Sequence, residues 1–302
     1  MKNTVNPPAI MNNLLDSKRY KTMELRPGEL VPQLRNDYPD DDPYVRLYQP
    51  TYIRSLRFDE TYPYVDDSWQ GRFWRWVGQY VFRHIVEWWM LRLQMGWKVE
   101  GRHWLRQYSQ QLAGGAITVA NHCHRHDCEA VLFAVRTKLT RTRIPMFAAN
   151  FNTKDLNFLR MVGGVPLPPA EMGMKAMKQF NEAFDEFHRR GYWFHVFPEA
   201  CKWDWYKPLR PFQKGAFSMS YKYGMPIVPC VITWRKRTGF YRLFGPKEMP
   251  LMTVRILEPL MPDTSAPRRQ EVDRLRQAAH QAMCEAAGIV RNSWPETEEL
   301  DA

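Results

Sequence analysis

The chain has few cysteines, five in 302 residues, and their odd number and irregular spacing do not make a disulfide framework. A reducing compartment is expected. No apolar stretch matches the roughly 20 residues that a membrane-spanning helix needs. The opening residues, MKNTVNPPAIMNN, lack the charged start, apolar run and small-residue cleavage site of a secretory signal. There is no internal repeat and no low-complexity tract. No recognition helix, zinc finger or RNA-stacking motif is visible either, so nucleic acid is not expected as a partner.

What is present is a basic chain, with 43 Lys and Arg against 32 Asp and Glu, and a hydrophobic content of 44%, ample for a core. The charge is uneven. Residues 1–68 hold 11 acids and 9 Lys or Arg, while Glu199–Lys247 holds 10 Lys or Arg and 2 acids. Such a surplus suits anionic lipid headgroups or phosphorylated substrates. The length suits one α/β domain with an N-terminal extension. We divide it into an irregular extension (1–68, with a solvated acidic run at Asp40–Asp42), a helical segment (69–98), an α/β domain (99–290) and a tail (291–302).

Eight aromatic residues fall between Trp69 and Trp89. Arg72, Arg75, Gln79, Arg83 and Glu87 recur at steps of three or four and form one polar stripe on a helix, leaving a wide aromatic face. That pattern predicts a helix lying in a bilayer interface with its arginines snorkelling. The competing expectation is a helix packed on the protein's own core.

From about residue 100 the pattern alternates. Strands are expected at Ala116–Ala120, Ile144–Ala149, Tyr192–Phe197, Ile227–Trp234 and Thr253–Leu257. Helices are expected at 127–138, 171–190 (closed by Gly191), Lys214–Tyr223 (closed by Gly224) and from Ser265–Pro267 to Ala286. The fold class is therefore α/β, a mainly parallel central sheet flanked by helices. Chemistry in such sheets gathers where strands end.

The segment ITVANHCHRHDCEA, residues 117–130, runs an apolar strand into His122, with Asp127 near a helix start. Imidazole is the best neutral-pH base, and a carboxylate sets its tautomer and steadies its protonated form. No Ser or Cys nucleophile is needed if an acceptor hydroxyl attacks directly. Three more blocks follow in order: GGVPLPP (163–169), FPEACKWDWYKPLRPFQKG (197–215) and PIVPC (226–230).

The ordered set resembles the glycerolipid acyltransferase superfamily, which includes 1-acylglycerol-3-phosphate O-acyltransferase. Asn121, His122 and Asp127 match its N-H-x-x-x-x-D block. Phe197, Pro198 and Glu199 match the start of F-P-E-G-T-R, and Pro211, Phe212, Lys214, Gly215, Ala216 and Phe217 match P-F-K-K-G-A-F. Ile227, Val228, Pro229 and Cys230 stand for V-P-V. Two departures stand out. Ala200, Cys201 and Lys202 replace Gly-Thr-Arg, keeping a cation but losing the guanidinium fork. Pro168 and Pro169 stand where an acceptor-binding Arg is usual.

The resemblance implies a fatty acyl transfer from acyl-CoA or acyl carrier protein to a lysophospholipid hydroxyl, with lysophosphatidate first among acceptors and an amino-acid-based lysolipid second. His122 would be the general base and Asp127 its orienting partner. Glu199 would position the glycerol portion, and Lys202, Arg210 and Lys214 the phosphate. Gly163 and Gly164 would let backbone approach the acceptor. Membrane lipids would be partners, at the cytoplasmic face of a membrane, with no metal and no prosthetic group. No feature sets an oligomeric state. The alternative class is a metal-dependent hydrolase, because His122, Cys123, His124, His126, Asp127 and Cys128 are all ligand types. Their order inverts the H-x-H-x-D-H of metallo-β-lactamase-like hydrolases, and no further ligands follow downstream.

Overall fold

The computed structural model describes residues 19, 22–35, 37–39, 41–47, 56–152 and 156–294. Asp40 of the acidic run and the last residues of the tail lie outside them.

The strands are β1 (Glu24–Leu25), β2 (Lys98–Glu100), β3 (Ile117–Ala120), β4 (Thr142–Phe147), β5 (Gly164–Leu167), β6 (Trp193–Val196), β7 (Ile227–Arg235), β8 (Leu251–Ile256) and β9 (Ile289–Arg291). β2 to β8 make one seven-stranded sheet in the order β2-β8-β7-β3-β6-β4-β5, and β1 pairs with β9. β7, β3, β6, β4 and β5 run parallel, while β8 is antiparallel to β7 and carries β2 parallel to itself. A mainly parallel α/β sheet is thus present. β7 is buried along almost its whole length, which is why its sequence is a continuous apolar run rather than an alternation.

The main helices are α1 (Trp69–Val77), α2 (Asp127–Ala134), α3 (Gly173–Arg189), α4 (Gly215–Tyr223) and α5 (Arg268–Ala286). α3, α4 and α5 cover one face of the sheet with Phe184, Phe187, Phe217, Leu275 and Met283. α2 covers the other with Val131, Leu132 and Phe133, joined by Val86 and Leu91.

Two strands of the seven-stranded sheet escaped the sequence reading, as did the short pair β1 and β9. β2 is too short and polar to signal itself. β5 opens at Gly164, which reads as a turn. A Cβ there would lie 2.8 Å from the Leu159 carbonyl oxygen and 3.0 Å from the Phe151 ring, so close packing requires glycine.

The helix begun by α1 continues to Gln94, α-helical again at Arg83–Ile85 and π-helical over Gly78–Phe82 and Val86–Gln94. In a pure α-helix a stripe repeating every four residues drifts by about 40° per step. The wider π turns absorb that drift, so Arg75, Gln79, Arg83, Glu87 and Leu91 stay on one side. That side faces inward: Gln79 and Leu91 are buried, Arg75 donates to the Asp66 carbonyl and Arg83 to the Thr137 carbonyl. Gly78 lets the helix approach Met161, 2.7 Å from where a Cβ would stand. The aromatics face outward, with Trp69, Trp74, Trp76, Trp88 and Trp89 all more than half exposed. Apart from Arg72, which is exposed, the polar stripe therefore does not snorkel, a correction to the sequence reading. It is the seam that binds the helix to the domain. The exposed aromatics also do not pack on the core. Among the described residues no helix is long and apolar enough to cross a membrane.

The described residues of the N-terminal segment are anchored on the domain. Tyr38 packs with Trp203, Tyr206 and Trp294. The carbonyls of Pro43, Tyr44 and Val45 accept hydrogen bonds from Arg210, Cys201 and Trp203.

Candidate active site

β3 lies at the centre of the sheet, between β7 and β6. Its C-terminal end delivers the 121–126 loop, and Asp127 is the first residue of α2. Asn121 fixes that loop to β7: its amide donates to the Ile232 carbonyl at 3.1 Å and accepts the Ile232 N–H at 2.8 Å. The first block's Asn is thus a brace.

His122 Nδ1 lies 2.7 Å from Asp127 Oδ2, and the same oxygen accepts the N–H groups of Cys123 at 3.1 Å and His124 at 3.2 Å. Asp127 is buried, and burial alone would favour its neutral form. The His122 charge, its hydrogen bond and the His124 N–H outweigh that and hold the carboxyl below the usual range. An ionised carboxylate only accepts, so in the neutral imidazole the proton sits on Nδ1 and the lone pair on Nε2. The ring stacks on Phe197, centroids 4.0 Å apart and planes 11° apart. Phe197 was matched as part of a motif, but nothing in the sequence marked it as the platform for the imidazole.

The dyad opens onto a cavity of about 1050 Å³. Its walls include Leu132, Phe133, Phe158, Phe180 and Phe184, with Phe82 contributed by the inner side of the aromatic helix. A cavity of this size with largely apolar walls has room for an alkyl chain. Arg46, Arg125 and Lys202 are cations on the same walls. Arg46 and Arg125 carried no signal in the sequence.

Lys202 therefore reaches the cavity, with its amine 3.5 Å from Asp204. The other expected substrate contacts are placed differently. Glu199 is buried and accepts the His122 N–H at 2.9 Å, the Arg210 N–H at 3.0 Å and the Arg210 guanidinium at 3.0 Å. Arg210 has no exposed surface; its guanidinium also serves the carbonyls of Pro43 and Cys201 and stacks over Trp203. Neither lines the cavity, because each satisfies the other inside the protein. Lys214 sits at the start of α4, 3.8 Å from Asp273 and off the cavity wall. Gly163 and Gly164 lie at the N-terminal end of β5, the opposite end of the strands from His122, and line a different cavity.

Ala200 stands at φ 62°, in the left-handed region. The residue there turns the chain from Pro198 back toward the first block, where the Trp203 N–H donates to the His122 carbonyl at 3.0 Å. Glycine takes that conformation without strain, which accounts for the Gly of the resembled block.

The metal-ligand types disperse. Burial pushes His124 down to about 4, and it packs between the Trp205 and Trp234 rings while its Nδ1 accepts the His126 N–H. Burial holds the Cys123 and Cys128 thiols protonated. Among the described residues no three His, Cys, Asp or Glu side chains converge as metal ligands.

Residues 97–233 match the family model described as Acyltransferase. Over these residues the chain carries an Acyltransferase domain. Among solved structures, the acyltransferase is similar to the 1-acyl-sn-glycerophosphate (LPA) acyltransferase PlsC from Thermotoga maritima, with 19% identity, 79% of this chain and 85% of that chain covered, and a TM-score of 0.45. No match was found among curated proteins. In this acyltransferase, then, block one carries the His–Asp pair, and block three carries the Glu199–Arg210 pair that holds the His122 backbone.

Proposed function

We propose that the protein transfers a fatty acyl group from acyl-CoA or acyl carrier protein to the hydroxyl of a lysophospholipid at a membrane surface. The proposed acceptor is 1-acylglycerol-3-phosphate and the product phosphatidate. The observation that carries this reading is the His122–Asp127 pair, at 2.7 Å, opening onto a cavity of about 1050 Å³ with largely apolar walls and five cations, Arg46, Arg125, Lys202, Lys222 and Arg268.

Asp127 keeps His122 protonated on Nδ1. His122 Nε2 accepts the acceptor's hydroxyl proton as that oxygen attacks the thioester carbonyl. The C–O bond forms, the tetrahedral intermediate collapses, the C–S bond breaks, and the departing thiolate takes the proton from the imidazolium. The enzyme returns unchanged, with no acyl-enzyme and no metal or prosthetic group used. Lys202, Arg46 and Arg125 offer charge to an anionic headgroup. The outward tryptophans of the aromatic helix support peripheral binding to the bilayer, and the proposed side is the cytoplasmic one.

The test offers purified protein labelled acyl-CoA or acyl carrier protein thioester with a panel of lysolipids, and identifies products by mass. Phosphatidate formed from 1-acylglycerol-3-phosphate in preference to other products supports the reading. Faster transfer to an amino-acid-based lysolipid moves the acceptor assignment. Hydrolysis without transfer, lost in EDTA and restored by zinc, overturns it.

A further inference from the structure

A second cavity, of about 80 Å³, is walled by Arg75, Arg143, Arg160, Tyr62, Asp66 and the Gly163–Gly164 turn. It shares no lining residue with the cavity at His122. The two also lie off opposite ends of the parallel strands. His122 follows the C-terminal end of β3, whereas Arg143 is the second residue of β4 and Gly164 the first of β5.

Arg143 is 6% exposed. Its guanidinium lies against the stacked rings of Phe187 and Tyr192, 4.6 Å from each centroid. Among the described residues its hydrogen bond is the one from Nη1 to the Thr142 carbonyl at 2.8 Å, and Nε and Nη2 have no acceptor there. Arg160 donates, among the described residues, to the Tyr62 hydroxyl at 3.2 Å. The nearby carboxylates are committed. Asp67 takes both terminal nitrogens of Arg190 at 2.9 Å. Asp66 Oδ1 accepts the Ser68 N–H at 3.0 Å and hydroxyl at 2.6 Å, and its Oδ2 stands 3.9 Å from Arg75. Burial lowers the Arg143 pKa to about 10, which still leaves it charged at neutral pH. A largely buried guanidinium whose remaining donors border a small cavity favours an anion in that cavity.

We propose that Arg75, Arg143 and Arg160 form a binding site for a single phosphate-type oxyanion, separate from the catalytic cavity. The guanidinium forks match the geometry of a tetrahedral oxyanion, and the space admits one such group and no sugar or base. Because Arg75 belongs to the helix that carries the exposed tryptophans, the oxyanion comes either from an anionic lipid headgroup or from free phosphate.

The test is calorimetric titration of inorganic phosphate into the full-length protein at low salt. Wild type binds phosphate saturably. Arg143→Lys and Arg160→Gln weaken binding at least about tenfold, the worth of one charge-assisted hydrogen bond. His122→Ala and Lys202→Ala leave it unchanged, which separates this site from the acyl-transfer site. Arg160 is exposed, so Arg160→Gln decides the matter even if Arg143→Lys does not fold. Competition by phosphatidylcholine vesicles containing phosphatidylglycerol, but not by phosphatidylcholine alone, assigns the oxyanion to a headgroup; no competition assigns it to free phosphate. No saturable phosphate binding, binding that survives in Arg160→Gln, or binding lost in Lys202→Ala overturns the proposal.

Discussion

Glu199 holds the main chain of His122: the His122 N–H donates to Glu199 Oε2 at 2.9 Å, and the same oxygen accepts from the buried Arg210 guanidinium at 3.0 Å. In the proposed reaction Glu199 would therefore act through the position of His122. Glu199→Gln and Arg210→Met each break a buried pair and are expected to cost roughly 3–5 kcal/mol of stability. Urea unfolding measures this. A Glu199→Gln protein as stable as wild type, with only a raised acceptor KM, would instead make Glu199 a substrate contact.

His122→Ala keeps the fold and loses roughly 10²–10⁴-fold in kcat, the usual worth of a positioned base. Asp127→Asn is damaged as well, because an amide cannot steady an imidazolium. His124→Ala and Cys123→Ser leave the chemical step largely intact, and transfer persists after dialysis against EDTA. Equal damage at His122, His124 and His126, with zinc-restored activity, contradicts this.

Two buried histidines set an acid limit on stability. Burial pushes His124 and His195 down to about 4, whereas the unfolded chain protonates them near 6.5. Between these values the unfolded state binds more protons, so stability rises with pH across that interval and is lost as pH falls. Each contributes at most roughly 3 kcal/mol. Asp127, with its carboxyl held low, adds a further loss only below about pH 4. Urea midpoints measured from pH 7 to pH 4 should fall, and less steeply in His124→Gln. An unchanged slope in that variant removes His124 from the account.

Trp74→Ser, Trp88→Ser and Trp89→Ser together should move the protein from the vesicle pellet to the supernatant while its melting temperature stays near that of wild type. These side chains face outward, so the fold loses little with them. Phe82 is left unchanged because it packs on Phe158, ring centroids 5.0 Å apart. Unchanged pelleting ends the case for this face as the membrane contact.

Lys202→Ala should raise the acceptor KM about 10- to 100-fold with little change in stability, as a lost charge-assisted contact to phosphate does. Steady-state kinetics with each substrate varied in turn checks it. If donor KM rises instead, Lys202 faces the phosphates of coenzyme A.

The strand–helix alternation and the His122–Asp127 pairing were legible in the sequence because both are local. An apolar run, a turn and a helix start suffice to bring together residues five apart. The buried strands β3 and β7 were legible for the same reason, while β2 and β5 were too short or too rich in glycine to stand out. Periodicity also established which residues of the aromatic helix share a stripe. It carries no sign, however, and only packing on the domain turned Gln79 and Leu91 inward and the tryptophans outward. Nor can a motif show that its charges are already used. Glu199 meets the backbone of His122, 77 residues away, and Arg210 meets Pro43, 167 residues away. Such pairings arise only when distant segments are packed together, because a buried charge must find its partner within the folded interior.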